Sequence, residues 1–179
     1  MLKIHTVMMG LALMLIMTPS VAMAEAGIAA FFGTWKGSGL SESEVSSNFH
    51  MSVRDLEVIV KSAGSGGFEI TWSTVQRQKG DPKNPTEVVK GTTLALMPSG
   101  NGMWRAGDGD PMADGQRAWA RIEDNTLILS TFRVTEDGHG EYQVYKRTLN
   151  GMGMELDFSR IVDGEQVRTA KARLTKFSN

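Results

Sequence analysis

From residue 32 to the C-terminus, apolar and polar positions alternate in short runs rich in Val, Ile, Thr and aromatic residues, broken by Gly, Asp and Asn. A period of two marks strands with one buried face. Ten strands are predicted, over residues 32–40, 54–62, 67–78, 86–97, 102–106, 116–123, 126–135, 140–149, 152–162 and 165–177. The interruptions "EDNT", "LNGM" and "VDGE" each place two turn-forming residues between alternating runs, and Asn150-Gly151 and Asp163-Gly164 suit two-residue hairpins. Successive hairpins of this kind close into an up-and-down barrel, because closure leaves no exposed edge. The predicted fold is therefore all-β: a single antiparallel up-and-down β-barrel of about ten strands. The segment 25–31 can form a helical turn as a lid or plug, and "SESEVSSNFHMS" reads equally as a loop or a short helix. The stretches "RQKGDPKNPTE" and "RAGDGDPMADGQ" read as long rim loops.

The first residues follow another pattern. Lys3, the apolar run "VMMGLALMLIM", Pro19 and the small-x-small site Ala22-Met23-Ala24 have the order of an export signal. The run is shorter than the roughly 20 apolar residues that a membrane helix needs. Residues 1–24 are therefore expected to be a cleaved signal peptide and residues 25–179 the barrel domain, with a periplasmic location and no transmembrane segment after cleavage. Half of the twelve Met leave with that leader, and so does Lys3, which leaves 18 basic against 20 acidic residues and takes the formal net charge from −1 to −2, still a near-neutral balance. A near-neutral balance gives no electrostatic argument for nucleic acid. The chain contains no cysteine, which excludes a disulfide framework and thiolate chemistry.

Hairpin register decides which side chains share a face. A two-residue loop at 163–164 pairs Arg160 with Val167, Phe158 with Thr169, Leu156 with Lys171 and Met154 with Arg173. A loop at 150–151 places Arg147 opposite Met154, Tyr145 opposite Leu156 and Gln143 opposite Phe158. A loop at 124–125 adds Ala118, Ala120, Ile122, Leu127, Leu129, Thr131 and Arg133 where the hairpin at "EDGHG" has the matching parity, which that turn permits but does not force. The expected interior is this face, with Leu56, Val58, Val60, Phe68, Ile70 and Trp72 from the N-terminal half. The opposite face carries Lys146, Glu155, Asp157, Ser159, Gln166 and Arg168, a charged surface unsuited to lipid.

The predicted interior is apolar in its body but carries Arg133, Arg147, Arg160, Lys171 and Arg173 beside Tyr145. A buried cation must meet water, a carboxylate or a bound anion. Cations at strand ends can also snorkel into solvent at the barrel mouth. Apolar walls with a few placed cations and a phenol suit an amphipath with an anionic head. The expected ligand-binding residues are Trp72, Arg133, Tyr145, Arg147, Leu156, Phe158, Arg160 and Lys171.

The opening motif "FFGTWKGSG" resembles the Gly-x-Trp first strand of the calycins, the superfamily of lipocalins, fatty-acid-binding proteins and avidin-like barrels. The resemblance implies that Trp35 closes one end of the barrel with a basic residue of the last strand, Arg173 or Arg168. The Gly-Thr-Trp-x-Gly-x-Gly spelling also resembles haem-binding nitrobindin-type barrels, although the tyrosine and proline that should follow are missing. The late pattern "AWARIEDNTLILS … YQVYKRTL … MELDFSRIVDGEQV" resembles an uncharacterised group of proteobacterial exported proteins.

No enzymatic constellation stands out. His5, His50 and His139 show no metal-ligand spacing. "GDGDPMADG" lacks the closing glutamate of a calcium loop. "SAGSGGF" lacks the Lys-Ser/Thr ending of a phosphate loop, and no Gly-x-Ser-x-Gly elbow exists. Trp104 and Trp119 read as packing residues. The sequence thus points to a non-enzymatic periplasmic binding or carrier protein for a small hydrophobic or amphipathic ligand, with no cofactor or metal. A packed barrel acting on a protein partner through its long loops is the alternative, and haem or another tetrapyrrole is a third reading.

Overall fold

The computed structural model describes residues 27–45, 51–77, 87–107, 109–113 and 115–178. The leader, His50 and most of the "RQKGDPKNPTE" loop lie outside the described residues. Ten strands appear among the described residues: β1 (Gly33–Ser43), β2 (Met51–Gly64), β3 (Gly67–Arg77), β4 (Glu87–Gly100), β5 (Met103–Ala106), β6 (Arg117–Glu123), β7 (Thr126–Val134), β8 (Gly140–Asn150), β9 (Gly153–Val162) and β10 (Glu165–Ser178). Each pairs antiparallel with its sequence neighbours, and β1 pairs with β10, which closes the barrel. All ten predicted strands are present. Ile28–Phe31 forms a short 3-10 turn that buries Phe31 at the end where β1 starts. No described helix is long and apolar enough to cross a membrane.

Turn chemistry explains much of the register. Ser65-Gly66, Asn101-Gly102 and Asp163-Gly164 all adopt positive φ, as tight hairpins with the right-handed strand twist require. The β6–β7 hairpin has the predicted pairs, with Ala120 opposite Leu129 and Ile122 opposite Leu127. The β8–β9 hairpin does not turn at Asn150-Gly151. Asn150 pairs with Gly153, so Gly151-Met152 make the turn and Arg147 faces Leu156, Tyr145 faces Phe158 and Gln143 faces Arg160. The Asn150 side chain accepts the Met152 N–H at 3.0 Å, which fixes this later turn. Because the slip is two residues in pairing, every side chain keeps its expected face.

In the β9–β10 hairpin the outcome differs. Glu165–Val162 and Gln166–Ile161 pair as predicted, then the register shifts at Val167 and Arg168 faces Arg160. A bulge inserts one unpaired residue and reverses parity beyond it. Ala170, Ala172 and Leu174 therefore alternate on the more buried parity, and Lys171 and Arg173 are exposed. The expected inward placement of Val167, Thr169, Lys171 and Arg173 is corrected on this point, as is the outward placement of Arg168.

The two halves of the barrel are filled differently. Toward the 3-10 turn, Phe31, Phe68, Ile70, Leu96, Leu127, Leu129, Met154 and Leu174 are fully buried and pack together. Trp35 joins them, donating its indole N–H to the Phe31 carbonyl at 2.9 Å. The basic residue over its ring is Lys176, with Nζ 5.4 Å from the ring centroid. Arg173 instead points outward toward Glu155 at 3.7 Å. In β1 the motif glycines have a steric role: a Cβ on Gly37 would run into the carbonyl oxygen of Arg173, and one on Gly39 into that of Lys171.

Candidate functional site

Toward the other end the interior opens into a cavity of about 570 Å³. One wall is thin: Gly39 and Ser41 of β1 face Ala172 and Ala170 of β10. Small side chains there leave space. Phe158 of β9 flanks this wall as the partner of Ala170, Tyr145 of β8 and Trp72 of β3 stand beyond it, and Leu56, Val58 and Leu156 complete the apolar lining. The Trp72 and Tyr145 rings are 5.0 Å apart and Tyr145 and Phe158 4.7 Å, both pairs tilted, so the three form one aromatic strip.

Polar groups divide into two sets. The first centres on Glu141, a carboxylate with 1% of its surface exposed. It accepts hydrogen bonds from Arg133 Nε at 3.0 Å, Gln143 Nε2 at 2.5 Å and Arg160 Nε at 2.7 Å, and Arg160 Nη2 also contacts it. Burial alone would raise the Glu141 pKa, but these donors outweigh it and hold the carboxyl below the ordinary range. Gln143 in turn accepts the Tyr145 hydroxyl at 2.6 Å. Glu141 is thus the partner that the sequence left unidentified for Arg133 and Arg160.

The second set consists of cations that no carboxylate of this network meets. Arg147 has 1% exposure, and its Nε and Nη1 have no hydrogen-bond partner. Its guanidinium lies over the Trp72 and Tyr145 rings, 5.5 and 5.0 Å from their centroids. Ring quadrupoles offset part of its desolvation, yet burial still lowers its pKa to about 10. Burial likewise pushes the Tyr145 phenol up, so it stays protonated and able to donate. Arg54 and Arg168 also line the cavity, with Lys90 on β4. Glu141 is the single carboxylate among the described lining residues.

Of the residues predicted to bind a ligand, Trp72, Arg133, Tyr145, Arg147, Leu156, Phe158 and Arg160 line this cavity through inward positions. Lys171 also borders the cavity, but it stands on the outward parity, exposed and opposite Asp157 and Leu40. Sequence reasoning missed Glu141, Arg54 and Arg168. Glu141 is two residues before Gln143 and Arg54 two before Leu56, so extending the same alternation reaches both. Arg168 is hidden by the bulge, which leaves no period-two signal. His139 lies in the β7–β8 turn with Nδ1 2.6 Å from Asp163 Oδ2 and does not line the cavity. No cluster of three potential metal ligands occurs among the described residues.

No family model matches the chain, and no curated protein does. Among solved structures it is similar to a protein of unknown function from the DUF3598 family of Nostoc punctiforme, with a TM-score of 0.56 and 14% identity over 90% of this chain. The chain spans about half of that protein, 53% of its length. The likeness shows the barrel fold. An S-type phycobiliprotein lyase from Guillardia theta aligns over 85% of this chain and 91% of its own, with a TM-score of 0.40 and 7% identity.

Proposed function

We propose that this barrel is a calycin-type binding or carrier protein that holds a small amphipathic anion in the open half of its interior, acting in the periplasm and without catalysis. The observation that carries the reading is Arg147: a fully buried guanidinium with two unpartnered nitrogens at an aromatic strip beside a 570 Å³ cavity. A buried charge left unpaired costs several kcal/mol, and an anionic head group accepting from it would offset that cost. The volume lies within the usual span of small-molecule sites, about 300–1,000 Å³. Trp72, Tyr145, Phe158 and Leu156 supply the surface for an apolar body.

Titration with cis-parinarate, read by energy transfer from tryptophan, tests this reading. The wild-type protein is expected to bind the carboxylate, with its methyl ester and Arg147→Met both weaker by about 10-fold or more, the value of one charge-assisted hydrogen bond. Equal binding of acid and ester, unaffected by Arg147→Met, would overturn the anionic assignment. Failure to bind either, with no small molecule retained in native mass spectra of periplasmic protein, would overturn the carrier.

A further inference from the structure

A second cluster of polar groups sits at the rim of the same cavity, next to Arg160, the cross-strand partner of Arg168. Arg168 faces Ser43 across the β1–β10 seam. The Ser43 hydroxyl has 6% residue exposure and no hydrogen-bond partner, and Arg168 Nε is buried and unpartnered too. Both line a recess of about 420 Å³ that meets the main cavity at Arg168. Arg54 on the neighbouring β2 lines the main cavity and braces its Nε on Ser52 Oγ at 3.1 Å. Its guanidinium is held below its ordinary range by burial and by the like charge of Arg168.

We infer that Arg54, Arg168 and Ser43 form a second oxyanion subsite, so that the cavity's ligand is an amphipath with an anionic group at each end of its apolar body. Arg54, opposite Gly39, and Arg168, opposite Ser43, line the same cavity, and an oxyanion between them would replace like-charge repulsion by charge-assisted contacts. Ser43 Oγ supplies a neutral donor at the same place. Glu42 and Glu44 border the recess from exposed positions, which favours a ligand reaching the subsite from inside the barrel. Between the two cationic points run Leu56, Trp72 and Phe158, a mainly apolar stretch that suits a hydrocarbon linker. This inference rests on the anion-carrier reading above, with Arg147 holding the inner head.

The test displaces cis-parinarate with α,ω-dicarboxylates of eight to sixteen carbons and with monocarboxylates of the same lengths. At the best length the diacid is expected to bind about 10-fold tighter or better, one added charge-assisted contact. The double variant Arg168→Gln/Ser43→Ala should bring the diacid-to-monoacid affinity ratio to about one, and Arg168→Lys should keep part of the advantage. Melting curves for each variant establish that the barrel remains folded. If monoacids bind and diacids are no tighter at any length, the rim subsite is refuted while the carrier reading stands. If neither series displaces the probe and the probe itself does not bind, the carrier reading falls with it.

Discussion

The two ends of the barrel have the same backbone and opposite interiors. Near the 3-10 turn, Leu127, Leu129, Ile70 and Leu96 interdigitate at zero exposure under Phe31 and Trp35. At the other end, glycine and alanine on the β1–β10 seam border open space lined by an aromatic strip, and charge replaces hydrocarbon. The packed half gains from every methylene buried, about 25 cal/mol per Å². The open half carries a buried and unpartnered cation, Arg147, that opposes folding in the ligand-free protein. The hydrocarbon core and the candidate binding groups are thus spatially separated, with the Glu141 cluster the part of the open half that also holds the fold together.

The sharpest way to break this division is Leu129→Ala. A fully buried leucine in a dense core costs about 2–5 kcal/mol when truncated, with a matching fall in the midpoint of thermal unfolding, yet cis-parinarate affinity of the folded fraction should be unchanged. A binding loss as large as the stability loss would join the two halves. Glu141→Gln is expected to be smaller, about 1–2 kcal/mol, since one partner, Arg133, is half exposed and screened. Its pH dependence has a fixed sign. The native pKa of Glu141 is depressed, so its contribution is present above the unfolded value near 4.5 and lost as pH falls through the lower native value. The gap between wild type and Glu141→Gln in chemical denaturation should therefore narrow below about pH 4.5. Arg147→Met has the opposite direction. Replacing a buried, unpaired cation by a packed apolar chain should raise the ligand-free melting point by a few degrees, about 1 kcal/mol, while it weakens anion binding. A fall in both would show that the cation–π contacts with Trp72 and Tyr145 outweigh the cost of burying the charge.

Most of the barrel is legible in the chain because strand alternation and turn residues are local properties. Ten strands and the β6–β7 pairing follow from spacing alone, and the inward face through Arg160 follows once β7 and β8 meet with matching parity, which the pairing of Leu129 with Tyr145 supplies. The β8–β9 turn slipped by one residue on the Asn150 side chain without moving any residue to the other face, since pairing shifts of two conserve parity. The candidate site is legible to a similar depth: Trp72, Tyr145, Arg147, Phe158 and Arg160 were all found by parity. The site residues the sequence did not reveal fall into two kinds. Glu141 and Arg54 lay on the same alternating rows, one step past where apolar content stops. Arg168 required the bulge at Val167, a one-residue event that exchanges Lys171 and Arg173 for Ala170, Ala172 and Leu174 on the more buried parity.

By itself the amino-acid sequence determined the period-two alternation, the turns that make neighbours of successive strands, and the presence of arginines among apolar positions. Only the closed barrel decided which of those arginines meet a carboxylate and which are left facing a cavity. The Glu141 pairs join neighbouring strands over 8 and 19 positions and the bulge lies within the β9–β10 hairpin, but side-chain reach and a one-residue insertion leave no period-two signal, and the seam that closes the cavity joins β1 to β10 over more than a hundred positions.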